Sequence, residues 1–230
     1  MLADEINDRQ YELDLKKYQI VIVIGVGGIG SWVALNLGLS GLVKKLIIID
    51  PDTVEESNLN RTPFRLIDID AFKADAICDL ILERRFMDII SFKSYTSPEL
   101  YDKIKNVIQE DKAIYTDVAV VDCRDNIYDD MYKLPAAIYY KVGYDGLDIT
   151  IDGDPENTHV FSDGSTGYRV VPSFLCPTQL AANLVVSDLL VEHSELGKVP
   201  YYNTDPEGRL FQAVSFSSKN LLKLIAKASQ

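Results

Sequence analysis

Cysteine and histidine are scarce in this chain, and cations are outnumbered by acids. The three cysteines, Cys78, Cys123 and Cys176, are isolated from one another, and no Cys-x-x-Cys pair occurs. That excludes a disulfide framework and a four-cysteine zinc site, so no zinc is expected and a reducing cytoplasm fits. The two histidines, His159 and His193, have no partner at ligand spacing, and no Ser-His-Asp arrangement can be built from them. With 23 Lys and Arg against 35 Asp and Glu, the net charge is -12. A nucleic-acid backbone needs clustered cations, so nucleic acid is not expected as the main partner. The acidic N-terminus lacks the cationic start and apolar core of a signal peptide. Residues 19–43 carry no charge and are long enough to span a bilayer. Repeated glycines divide that stretch into a strand and a helix, so no membrane span is expected.

What is present is the composition of a soluble α/β protein, 47% apolar and 25% charged over 230 residues, which suffices for a substantial core. Residues 19–24 form a continuous β-branched run, as a strand buried on both faces does. The loop 25–30 follows, then a short helix over 31–39 ending near Gly41. Residues 46–49 read as a second buried strand, closed by Asp50 and Pro51. Residues 70–86 have helical spacing, with Phe72, Ala76, Ile77, Leu80 and Ile81 on one face. A strand is expected over 89–95, a helix capped at Ser97 and Pro98 running toward Glu110, and a strand over 114–121. The alternation implies a Rossmann-like, doubly wound, mostly parallel sheet with right-handed crossovers. Later residues suggest antiparallel strands over 137–151 and 160–171 and a helix over 177–195. A hairpin over 201–216 and a terminal helix over 219–228 close the pattern. One domain over 1–230 is the expected count, with an N-terminal arm over 1–18.

Ligands of such sheets bind beyond the carboxyl ends of the strands. There Gly25, Gly27 and Gly30 make the spacing G-x-G-x-x-G between a strand and a helix, with Gly28 inside the loop. This spacing lets a backbone approach phosphate closely and aims a helix N-terminus at an anion. Asp50 ends the second strand twenty residues after Gly30, where a carboxylate accepts from ribose hydroxyls; an acid capping the turn at Pro51 would look the same. An NAD-dependent oxidoreductase would show the same glycines and acid. Asn58, Arg61 and Lys73 favour ATP, because a triphosphate being cleaved needs cations against the charge developing on its oxygens.

These motifs resemble the ThiF/MoeB/HesA superfamily, the bacterial relatives of ubiquitin-activating enzymes. The resemblance is carried by residues 25–30, by Asp50-x-Asp52-x-Val-x-x-Ser57-Asn-Leu-x-Arg61, by Lys73, and by Val121-Asp-Cys-Arg-Asp125-Asn126. It implies that Asp50 holds the ATP ribose, with Asp52 of the same motif among the cofactor-binding residues. Asn58, Arg61 and Lys73 would contact the phosphates. Asp125 would hold Mg²⁺, with Asp122 the weaker acid of the pair. The implied reaction is adenylation of the C-terminal carboxylate of a small ubiquitin-like or sulfur-carrier protein by a homodimer. Arg61, Lys73, Asp125 and Cys176 would form the catalytic set, and Arg9 would reach a neighbouring subunit. Cys176, just before the expected helix, is either a thiol that accepts the acyl group or a small apolar core residue. Cys78 is expected in the core, and Cys123 is expected to point into the sheet. A non-catalytic binding module with the same fold remains the other alternative.

Overall fold

The computed structural model describes residues 10, 15–125, 129–145, 148–152, 173–191, 202–204 and 210–212. By contact it groups into two compact units, Lys17–Val185 and Met1–Lys16 with Val186–Gln230. Apart from the strands Tyr202–Thr204 and Leu210–Gln212 and the part of the helix Leu175–Val191 after Val185, the elements named below belong to the first. Its sheet contains β1 (Tyr18–Ile24), β2 (Val43–Ile49), β3 (Asp88–Phe92), β4 (Val118–Asp122), β5 (Ile138–Asp145) and β6 (Asp148–Asp152). The strand order is β3-β2-β1-β4-β5-β6, parallel as far as β5, with β6 antiparallel on β5. The helices are α1 (Gly28–Ser40), α2 (Lys73–Leu82), α3 (Pro98–Glu110) and α4 (Leu175–Val191). Beyond them, β7 (Tyr202–Thr204) pairs antiparallel with β8 (Leu210–Gln212).

Strand direction and order follow from hydrophobic pattern. Residues 20–24 of β1 are buried throughout, as a central strand covered on both faces must be. On one face Ile20, Ile22 and Ile24 pack with Ile47 and Ile49 of β2 and Val118 and Val120 of β4. Leu100, Ile104 and Ile108 of α3 cover them. A four-residue helical repeat thus meets a two-residue strand repeat. Helix α3 starts as expected, with Ser97 Oγ accepting from the Leu100 amide at 3.2 Å and Pro98 in its first turn. Strands β1 and β4 are far apart in sequence and sit side by side because the chain crosses back over the sheet between β3 and β4. That places a switch in winding direction, and hence a crevice, at the ends of β1 and β4.

Several expected elements are shorter. The helix expected from residue 70 begins at Lys73, because Asp70 adopts φ 70° and Phe72 is extended and bridged to Thr53. Phe72 is therefore half-exposed at the helix cap and not on the apolar face. The bridge has a consequence for the site, since the Lys73 amide donates to Asp52 O at 2.9 Å. Before β4, residues Tyr115–Asp117 form a 3₁₀ turn, and Ile114 and Tyr115 are exposed rather than in the strand. The strand expected over 137–151 is two strands, β5 and β6. Arg9, Asn126, His159, His193, the strand over 160–171 and the helix over 219–228 lie outside the described residues. No described helix is long and apolar enough to cross a membrane.

The segment carrying Arg61 is closed by a polar latch. The Arg65 amide, Nε and Nη2 donate to the Asp68 carboxylate at 2.7, 3.0 and 2.8 Å, and Arg65 also pairs with Glu83 after α2. Hydrogen bonds from the Arg65 side chain hold the Asp68 carboxyl below its ordinary range against the opposing effect of burial. A depressed carboxylate contributes stability above its unfolded pKa near 3.9 and loses it as pH falls through the folded value. Asp68→Asn is therefore expected to cost on the order of 1–2 kcal/mol at neutral pH. In urea unfolding, the gap from wild type should close below about pH 3.

Candidate nucleotide site

The site is assembled at the carboxyl ends of the parallel strands. The Gly25 amide donates to Ile49 O at 2.8 Å, so the chain leaving β1 stays tied to β2. Gly25 then turns with φ +82°, a left-handed conformation that disfavours any side chain. The next amide, Val26, donates to Asp50 Oδ2 at 2.6 Å, and the Asp52 amide donates to Asp50 Oδ1 at 2.9 Å. Asp50 thus both caps its own turn and braces the glycine loop. Burial raises its carboxyl pKa, with the two backbone hydrogen bonds opposing.

A cavity of about 500 Å³ opens over these groups, a size typical of small-molecule sites. Gly25, Gly27 and Gly28 line one side, and Asp50 and Asp52 line the floor at β2. Asn58, Arg61 and Lys73 come from the connection to α2, and Asp125 follows β4. The sequence-expected site residues therefore converge, apart from two. Gly30 does not reach the wall, because the place of its side chain lies 1.8 Å from Gly25 O. Cys176 is exposed in the first turn of α4 and is not part of the wall, so the core reading for it fails.

The cations differ in what holds them. Lys73 Nζ pairs with Asp52 Oδ2 at 3.0 Å. Arg61 Nη1 donates to Ser57 O at 2.6 Å and to Asn60 Oδ1 at 2.9 Å, with no carboxylate partner among the described residues. Its backbone is held from two directions. The Arg61 carbonyl accepts from Trp32 Nε1 of α1 at 2.9 Å and from Thr178 Oγ1 of α4 at 3.1 Å. Asn58 is buried, and its Oδ1 accepts from the Glu55 amide at 3.1 Å. Asp125 stays exposed at the cavity, but partial desolvation by the concave wall raises its carboxyl pKa, while Lys73 and Arg61 oppose.

After β4 one expectation is corrected, that for Cys123. Asp122 is fully buried and engaged by Arg124 Nη2 at 2.6 Å and Lys141 Nζ at 3.2 Å, which leaves Asp125 as the acid of the pair that lines the cavity. Cys123 lies on the cavity wall, 3.1 Å from where a Gly30 side chain would begin, and does not point into the sheet. Burial and nearby Asp122 push its thiol well above the ordinary range. Cys78, on α2, is half-buried, and burial pushes its thiol up to about 12. Arg124, Trp32, Tyr144 and Thr178 were not legible as site residues. Arg124 alone had a signal, its place inside the Asp122–Asp125 motif.

The wall fits a nucleotide with a hard cation. A side chain at Gly27 would stand in open space, so that backbone faces the cavity bare, at the start of α1. First-turn amides of a helix have no intrahelical partners and suit an anion. No cluster of three or more metal-ligating side chains occurs among the described residues. A Mg²⁺ ion needs no such cluster when one carboxylate is joined by phosphate oxygens and water.

The profile of the ThiF family matches residues 3–144. The chain belongs to the ThiF family. Among its relatives, the NEDD8-activating enzyme E1 catalytic subunit of Arabidopsis thaliana is 39% identical over 72 residues, 31% of this chain and 16% of that protein. The adenylyltransferase and sulfurtransferase uba4 of Aspergillus fumigatus is 32% identical over 109 residues, 46% of this chain and 20% of that protein. The ThiF-family chain thus spans a minor part of the length of these relatives. The crystal structure of E. coli MccB with ATP superposes with a TM-score of 0.54 at 20% identity, over 80% of this chain and 56% of that one. At that identity the likeness is one of fold.

Proposed function

We propose that this ThiF-family chain adenylates a carboxylate on a peptide or small protein, with ATP as the second substrate. The observation that carries the reading is Arg61. Arg61 lines the cavity together with the glycine loop, and its guanidinium makes no hydrogen bond or ion pair to a carboxylate among the described residues, although Asp125 lies near enough to feel its charge. A cation so placed suits a polyphosphate, and the relatives named for adenylation and for modifier activation support that choice.

In this reading a substrate carboxylate oxygen attacks the α-phosphorus of ATP. The new P–O bond forms as the bond to the bridging oxygen of the β-phosphate breaks, and pyrophosphate leaves with that electron pair. Asp50 accepts from the ribose hydroxyls. The amides of the glycine loop, Asn58, Arg61 and Lys73 hold the phosphates and offset charge on the departing oxygens. Lys73 makes its contribution by sharing or leaving Asp52. Asp125 would hold Mg²⁺, which supplies further charge neutralisation to the phosphates. A small ubiquitin-like or sulfur-carrier protein and a second copy of the chain belong to the same proposal as partners. Cys176, exposed on the segment tethered to Arg61, is the group proposed to accept the acyl chain in any later transfer.

Calorimetry with Mg-ATP and with NAD tests the reading. Wild type is expected to bind Mg-ATP, and Arg61→Ala to weaken it by about 10- to 100-fold, the loss of one or two charge-assisted hydrogen bonds. Tight NAD binding indifferent to Arg61 would instead establish the oxidoreductase alternative. ATP binding without pyrophosphate exchange for any carrier would leave a binding module.

A further inference from the structure

The cavity has a wall that the proposed nucleotide contacts do not use. Along the strand ends, Asp50 belongs to β2, the glycine loop to β1, Asp125 follows β4, and Val142, Gly143 and Tyr144 belong to β5. Neighbouring strands lie about 4.8 Å apart, so β5 stands roughly 14 Å from the strand that ends at Asp50. A nucleotide with its ribose at Asp50 and its phosphates on the glycine loop runs from β2 toward β4. The β5 wall stays uncovered beyond its phosphates.

Tyr144 reaches into that gap. Its hydroxyl lies 3.1 Å from the point where a side chain on Gly28 would begin, at the first turn of α1. The phenol is hydrogen-bonded to Ser173 Oγ. Ser173 is itself tethered, because Asn60 Nδ2 donates to Ser173 O at 3.1 Å. Thr178, five residues on, holds the Arg61 carbonyl, so one segment positions both the phenol and the guanidinium. A hydroxyl offers one donor and two acceptor positions, and Ser173 is the one hydrogen-bond partner of the Tyr144 phenol among the described residues, which leaves positions for another group. Gly143 beside it puts no side chain on the wall, which lets an extended backbone approach.

We infer that Tyr144, positioned by Ser173, hydrogen-bonds the last peptide unit of the acyl substrate and sets its carboxylate beside the α-phosphate. The inference deepens the adenylation reading and depends on it.

Two adenosine probes separate the two claims: sulfamoyladenosine, and its glycylglycyl derivative, which adds a peptide tail where the acyl group would be. In calorimetry on the full chain, wild type is expected to bind the tailed probe at least about tenfold tighter than the bare one. Tyr144→Phe should lose most of that gain, about tenfold, while binding sulfamoyladenosine as wild type does. Ser173→Ala should fall between. Retention of the full gain by Tyr144→Phe overturns the assignment and leaves adenylation standing, as does a wild type that gains nothing from the tail. Equal weakening of both probes in Tyr144→Phe would mean a structural role only, which also overturns it. A wild type that binds neither probe overturns the adenylation reading, and this inference with it.

Discussion

Gly30→Ala should lower thermal stability sharply and remove nucleotide binding, whereas Gly27→Ala should remove binding and leave stability intact. The two glycines belong to one motif, yet the space around them differs. A methyl group at Gly30 would stand 1.8 Å from Gly25 O and 2.9 Å from Gly25 C, both backbone atoms of the turn that leaves β1. Backbone tied to β2 through the Gly25 amide cannot yield as a flexible side chain would. A penalty of about 3 kcal/mol or more follows, at the upper end of overpacking costs. For a chain of this length that corresponds to a fall in Tm of roughly 6–12 °C. At Gly27 nothing lies within 4 Å of the added carbon. Its methyl would project into the cavity, change stability by no more than about 0.5 kcal/mol, and exclude the phosphates. Scanning calorimetry and ATP titration on both variants check this. Identical behaviour of the two would show that the loop is not built as described.

Arg124→Met is expected to be the most destabilising single replacement beneath the site. The Arg124 guanidinium joins three elements. It donates to Asp122 through Nε at 2.9 Å and Nη2 at 2.6 Å, to Asp130 Oδ1 at 2.6 Å, and to Thr96 Oγ1 at 2.8 Å. Its Cγ lies 3.2 Å from the place of a side chain on Gly25, so its stem supports the glycine loop from below. Removing the cation leaves Asp122, with no exposed surface, short of a charged partner, a change that costs about 3–5 kcal/mol. Arg124→Lys should recover only part of it, because an ammonium cannot span the same fork. The pH dependence carries a sign. Burial raises the Asp130 carboxyl, but the hydrogen bonds and charge of Arg124 overcome it and hold the group below its ordinary value. That contribution is present above the unfolded pKa near 3.9 and is lost as pH falls. The gap between wild type and Arg124→Met in urea unfolding should therefore be widest near neutrality and narrow as pH falls below about 4. A gap that widens in acid would contradict the ion-pair account. Loss of Arg124 should also impair ATP binding through the glycine loop and Asp125, although the guanidinium has another role than holding phosphate.

The sequence was informative where physics is local. A β-branched run, a glycine loop and an amphipathic repeat each report on neighbouring residues, so β1, α1, β2, α3 and their alternation could be read directly. The same holds for Asp50, whose place at a strand end follows from counting. Boundaries failed where a distant partner intervened. Phe72 looked like the first apolar residue of a helix, but its bridge to Thr53 holds it extended. Tyr115 looked like strand, but nothing pairs with it in the sheet, and the chain turns there instead.

At the site, the sequence by itself determined which chemical groups arrive at the carboxyl ends of the strands: a bare glycine turn, a ribose-type acid, an arginine, a lysine and a further acid. Only the tertiary structure decided which of them are available. Asp122 and Asp125 are three residues apart and alike on paper, yet one is consumed by Arg124 and Lys141 while the other lines the cavity. Arg61 is held by Trp32 and Thr178, and Tyr144 by Ser173, across 29 to 117 residues of chain. Spacing can place a side chain on a strand end, because the backbone period is short and fixed. Whether its charge is neutralised there depends on which distant segment packs against it, and that is settled only by the fold as a whole.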